Sequence, residues 1–202
     1  MNQGHFHTLN YHQIGSREAR SLSLKEMPGV YAWYRGFSRL RGADSAEEFL
    51  DLFAEMAQSK LSDKFSGKLG YLYDLTIQEQ GGELSKKKAA QLERIANDAE
   101  ARNCFSRLLE SVTFMQSPLY IGKAARLRDR VASHVDGSSS DLRERLSKAG
   151  IDMADCLLRF KYVEIIELEM MSTAEDSYDD VVYLLEEVLT RFSPAAFVRR
   201  PG

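Results

Sequence analysis

The passage from Pro118 to Gly137 constrains this chain more than any other. Pro118 interrupts the helical pattern before it. Leu119, Tyr120, Ile121 and Gly122 then read as a short buried strand, and residues 126–135 read as a helix stopped at Asp136 and Gly137. On that helix Arg126, Arg130 and His134 lie four apart and share one face. Leu127, Val131 and Val135 form the neighbouring face and are expected to pack on a sheet. A strand therefore leads into a helix that buries one side and presents cations on the other.

Around this passage the pattern alternates. Residues 29–34 (GVYAWY) are rich in strand formers and follow the Met27-Pro28-Gly29 break. Residues 44–65 and 84–109 carry helical periodicity, with Ser45 and Glu48 spaced as a capping box and Ser85 a candidate cap. Residues 67–82 read as a loop or short strand. A helix through Lys148 is capped by Ser140 or Asp141, residues 157–166 form a strand, residues 178–192 a helix, and residues 196–198 a candidate last strand. Residues 1–27 give no clear pattern. Trp33 is expected to pack under the segment inserted after it. The fold expected is α+β: a small antiparallel three-stranded sheet flanked by helices, built from residues 1–37 and 117–202, with a helical insertion over residues 38–116.

Charge is informative by place. The 202 residues carry a formal net charge of -3, which argues against a general polyanion binder. Residues 123–130 nevertheless hold four bases and one acid, whereas residues 162–190 hold nine acids and no base. A phosphate site needs only such local positive potential. The insertion is nearly balanced, with 11 bases and 13 acids over residues 38–115, so it does not read as a DNA arm. Lys86, Lys87 and Lys88 point different ways around a helix and read as a solvated turn. No run of 18 apolar residues exists, and the polar N-terminus is unlike a signal peptide, so a cytoplasmic protein without a membrane partner is expected. Cys104 and Cys156 have no metal-site spacing and read as reduced, mostly buried thiols. His5, His7 and His12 match no metal site either.

Gly29-Val30-Tyr31 and Tyr120-Ile121-Gly122, with Arg130 ten residues after the second tyrosine and His134 four further on, resemble the GIY-YIG nuclease family. The likeness covers roughly residues 28–37 and 117–198. That family closes with a glutamate on a late helix, then a proline and often an asparagine. Glu186, Glu187 and Pro194 fit the first two, and Phe197 stands at the asparagine position. Tyr31 and Tyr120 are 89 positions apart, where the family joins its strands by a short loop.

The resemblance implies a metal-dependent DNA endonuclease, with restriction or phage defence as settings for its activity. Tyr31, Tyr120, Arg130, His134 and Glu186 would be catalytic, while Gly122, Lys123 and Arg126 would bind substrate. The arginine fork suits two phosphate oxygens. A carboxylate suits Mg²⁺ or Mn²⁺ at a phosphodiester. Neighbouring cations are expected to lower the phenol pKa of Tyr31 so that it activates water. At about 100° per helical residue, Glu186 lies roughly 110° from the centre of the apolar stripe of Val181, Leu185, Val188 and Phe192, and Glu187 roughly 150° on the other side. Glu186 is therefore the expected metal ligand and Glu187 the fallback. The alternative is a catalytically weak DNA-binding or regulatory module acting with a partner. A homodimer or protein partner would contact the chain through residues 38–116.

Overall fold

The computed structural model describes residues 6–58, 65–69, 73–77, 84–171 and 178–192. In chain order, the first unit opens with β1 (His7–Asn10), α1 (Arg17–Ser23) and β2 (Gly29–Arg35). The chain then enters α2 (Ser38–Arg41), α3 (Ala46–Gln58), the hairpin strands β3 (Phe65–Leu69) and β4 (Tyr73–Ile77), α4 (Lys86–Ala96) and α5 (Ala99–Ser111). It returns through β5 (Tyr120–Ala124), α6 (Leu127–Asp136), α7 (Leu142–Lys148), β6 (Cys156–Tyr162), α8 (Ile165–Met171) and α9 (Tyr178–Phe192). Two compact units result: Met1–Gly36 with Thr113–Lys148 and Asp152–Gly202, and Phe37–Val112 with Ala149–Ile151. No helix among the described residues is long and apolar enough to cross a membrane.

The first unit is α+β, and its sheet has four antiparallel strands in the order β1-β6-β2-β5. Three were expected. The fourth, β1, is a polar four-residue edge strand whose partner lies about 150 positions away, so no local periodicity announces it. In the central register Tyr31 faces Gly122 on one side and Phe160 on the other, and Trp33 faces Tyr120 and Leu158. Side chains alternate across a sheet. One face therefore carries Tyr31, Trp33, Tyr120, Leu158 and Phe160, and α6 covers it with Leu127, Val131, His134 and Val135, all buried. The opposite face carries Val30, Ala32, Tyr34, Ile121, Lys123 and Arg159. On that side α9 buries Val181 and Val182 together with Val163 and Val30.

α6 ends where Gly137 adopts φ +68°, a left-handed cap that a side chain would strain. Arg20 of α1 reaches the same terminus. It is 6 % exposed, pairs with Asp136 at 2.8 Å and donates to the Ile14 carbonyl at 2.9 Å.

In the second unit, Leu40, Phe49, Met56 and Ala96 form the buried cluster, with Leu92, Phe105 and Leu109 packed around it. The expected helix over residues 84–109 is two helices. Asp98 accepts from the backbone N–H of Glu100 and Ala101, at 2.9 and 3.0 Å, and so starts α5 afresh. Ser85 makes no side-chain cap bond. Ser45 does accept from Glu48 N–H at 3.1 Å, but the Glu48 carboxylate returns to Asp44 N–H instead of closing a box. α3 is described as far as Gln58; Phe65, expected at the end of that helix, instead begins β3, and β3 pairs with β4 in the segment read as loop or short strand.

The strand expected over residues 157–166 ends at Tyr162, and Ile165 begins α8. Glu167 accepts from Glu164 N–H at 3.0 Å and from Lys161 at 2.8 Å, which fixes a helical turn where two isoleucines suggest strand. The expected strand at residues 196–198, together with Pro194 and Phe197, lies outside the described residues. Cys156 is buried and its thiol is pushed up to about 12 by burial, whereas Cys104 is exposed, against expectation.

Candidate active site

Register brings the two sheet tyrosines together. Tyr31 of β2 and Tyr120 of β5 sit on one face with ring centroids 6.1 Å apart. Gly122, opposite Tyr31, is what makes this possible. A Cβ there would lie 2.6 Å from Tyr31 Cζ and its hydroxyl oxygen, and 2.7 Å from Tyr120 Cε1. No side chain fits in that gap. Gly122, expected to contact substrate, thus also spaces the two phenols.

α6 supplies the next layer. His134 is fully buried, its ring 5.6 Å from that of Tyr31 and 5.2 Å from that of Tyr120. Its Nε2 lies 2.6 Å from the Tyr31 hydroxyl and its Nδ1 2.6 Å from Ser140 Oγ. Trp33, expected to pack under the insertion, is fully buried and edge-on to this imidazole. Four residues before His134, Arg130 is half-buried and within hydrogen-bonding reach of both phenols.

From the opposite face α9 packs against β5 and β2. Glu186 on this helix is half-buried and shares the field of Lys123 and Arg130, while Glu187 is exposed. The Lys123 ammonium lies over the ring of Tyr183. Arg130, from α6, and Glu186, from α9, thus approach the same edge strand from its two faces.

Arg130, Lys123 and a bound metal were expected to lower the Tyr31 pKa. Arg130 acts in that direction, but burial, and then Tyr120, hold the phenol well above its ordinary value before any contribution from a metal. A phenolate without solvent costs more than one guanidinium returns. His134 goes the other way: burial, then Arg130 and Arg145, lower its pKa to about 3, so the imidazole is neutral near pH 7. With Nδ1–H donating to Ser140, Nε2 is free to accept the Tyr31 hydroxyl proton. Burial raises the Glu186 carboxyl, and Lys123 and Arg130 pull it down.

The structure thus gathers Tyr31, Tyr120, Arg130, His134, Lys123 and Glu186. Arg126 lies outside this set. It precedes the first turn of α6, is largely exposed, and pairs with Glu26 at 2.8 Å and Asp129 at 3.0 Å. The expected cation face is also shorter than spacing suggests, because His134 turns inward. Ser140 and Tyr183 join the cluster unanticipated. Ser140 read only as a helix cap, and it does accept from Leu142 N–H at 3.3 Å; nothing local signals its second partner.

Among the described residues no group of three or more His, Cys, Asp or Glu side chains could hold a metal ion. Glu186 is the half-buried carboxylate beside Arg130 and Lys123. It suits an ion that takes most of its coordination as water and phosphate oxygen, as Mg²⁺ does.

Searches against family models, curated proteins and solved structures gave no match.

Proposed function

We propose that this protein is a divalent-metal-dependent endonuclease that hydrolyses DNA phosphodiester bonds. The observation that carries the reading is the placement of Arg130 against the hydroxyls of Tyr31 and Tyr120, with Glu186 in the same field. A phosphodiester is already anionic, so positioned positive charge is the main requirement for its hydrolysis. Arg130 binds the phosphate through two oxygens, and Lys123 adds charge beside it. Glu186 would hold Mg²⁺ or Mn²⁺, which supplies polarisation of a phosphate oxygen and stabilises the leaving oxygen.

The proton path runs through the buried side. Tyr31 orients the attacking water and takes its proton as the phenol proton passes to His134 Nε2, where it stays as an imidazolium whose Nδ1–H keeps its hydrogen bond to Ser140 Oγ. A phosphate seated on Arg130 cancels part of the field that keeps His134 a weak base. Substrate binding thereby prepares the acceptor.

Supercoiled plasmid and single-stranded DNA, incubated with Mg²⁺ or with EDTA, test the proposal. Metal-dependent cutting lost in Arg130→Ala and Glu186→Ala is the expected result. The burial of Tyr31, which disfavours a phenolate, favours a second reading: a catalytically weak DNA-binding or regulatory module acting with a partner. DNA binding without cleavage by a folded protein would establish that reading and refute the first.

A further inference from the structure

The opposite face of the sheet also holds a cavity. On this face, which carries Val30, Tyr34 and Arg159, the cavity of about 270 Å³ is walled by these and by Phe6, Pro118, Ile121 and Leu189, and it reaches Tyr31 of β2. All belong to the first unit. Arg159 sits at the middle of β6, opposite Ala32, which also lines the cavity. A cation on a central strand is costly unless something compensates it.

Among the described residues, aromatic rings flank Arg159. Its guanidinium lies over the rings of Phe6 and Phe114, at 4.6 and 4.3 Å from their centroids. Among the described residues its buried Nε has no hydrogen-bond partner. Phe114 also meets Tyr34 edge-on at 4.9 Å, so one ring orients both polar groups of the cavity. Tyr34 is close enough that Arg159 opposes the upward effect of burial on its phenol. Such stacking holds a guanidinium flat and leaves its N–H edge for an acceptor.

We infer that this cavity binds a small carboxylate with an apolar body, the carboxylate on Arg159 and the body against Tyr34, Pro118, Ile121 and Leu189. The volume is near the lower end of small-molecule sites, about 300 Å³. Charge selects the head group. A monoanion matches the single cation, with the Tyr34 hydroxyl as a second donor. A phosphate dianion would bring a charge that nothing in the apolar walls neutralises. The inference does not rest on the nuclease reading.

Calorimetric titration and amide NMR of the full chain with benzoate and phenylacetate test it, with benzamide and phenyl phosphate as comparisons. Benzoate or phenylacetate is expected to bind with a dissociation constant of about 1 mM or tighter. The amides of Ala32, Tyr34 and Arg159 should shift. Arg159→Gln should weaken binding by about tenfold or more. Ala32→Leu, which fills the cavity and keeps the charge, should also remove binding, and it serves if Arg159→Gln fails to fold. Four results would overturn the inference: neither carboxylate binding, benzamide binding as well as benzoate, phenyl phosphate binding more tightly, or undiminished binding in a folded variant. None of these readouts involves DNA, so they stand apart from any failure to cut it.

Discussion

Acid should unfold this protein in part through one buried side chain. His134 has no exposed surface, and its pKa in the folded chain is about 3 against an ordinary 6.5. Between those values the unfolded chain binds a proton that the folded chain refuses. The sign follows: the contribution is complete above about pH 6.5 and is lost as pH falls, by up to ~1.4 kcal/mol per pH unit. Across the whole interval the loss is about 5 kcal/mol, comparable with the entire stability of a marginal domain. Urea unfolding of wild type and of His134→Gln, from about pH 7.5 to about pH 4.5, isolates this group, because the carboxylates titrate in both. The wild-type advantage should shrink by about 1 kcal/mol or more per pH unit below about pH 6. Proton NMR gives a second view: of the four histidines, the one missing from the His134→Gln spectrum should not titrate between pH 5 and 8. A flat difference between the two proteins, or an imidazole titrating near its ordinary pKa, would refute the argument from burial.

Three further outcomes are expected. Gly122→Ala forces a Cβ into the space between Tyr31 and Tyr120 and should cost about 1–3 kcal/mol, lowering the melting temperature by several degrees; an unchanged melting curve would show that the tyrosines can move apart freely. Arg20→Ala strips the Ile14 carbonyl of its donor and leaves Asp136 without its partner, and should cost about 2–4 kcal/mol in denaturant unfolding. Glu186→Gln should reduce metal-dependent cleavage on the order of 10²-fold, with Glu187→Gln close to wild type; the reverse order in a plasmid-nicking assay would move the metal to the exposed carboxylate.

Elements whose patterns are local were readable. Gly29 to Tyr34, Tyr120 to Gly122, the helix through Arg130 and His134, and the last helix from Tyr178 to Phe192 each show a side-chain period that depends only on near neighbours. The failures have two causes, a distant strand partner and local side-chain bonds to the backbone. β1 becomes a strand only because β6 offers it an edge, and Asp98 splits a helix because its side chain outcompetes the backbone for two N–H groups. Ile165 joins a helix because Glu167 caps the turn.

The chain's own order of residues settled which chemistry is available: two phenols on short strands, a guanidinium ten residues after the second, and a carboxylate on a late helix. Helical spacing even ranked Glu186 above Glu187 for nearness to the buried side, since that depends only on the angle between adjacent residues. Protonation was left to the tertiary structure. Packing of α6 on the sheet sends His134 into the core and leaves Arg126 paired with Glu26 at the surface. That same burial raises the phenol against the pull of Arg130, and lowers the imidazole further in the direction that Arg130 and Arg145 already set. The physical reason is that charges can be counted along a chain, whereas the dielectric around them exists only once the layers have closed.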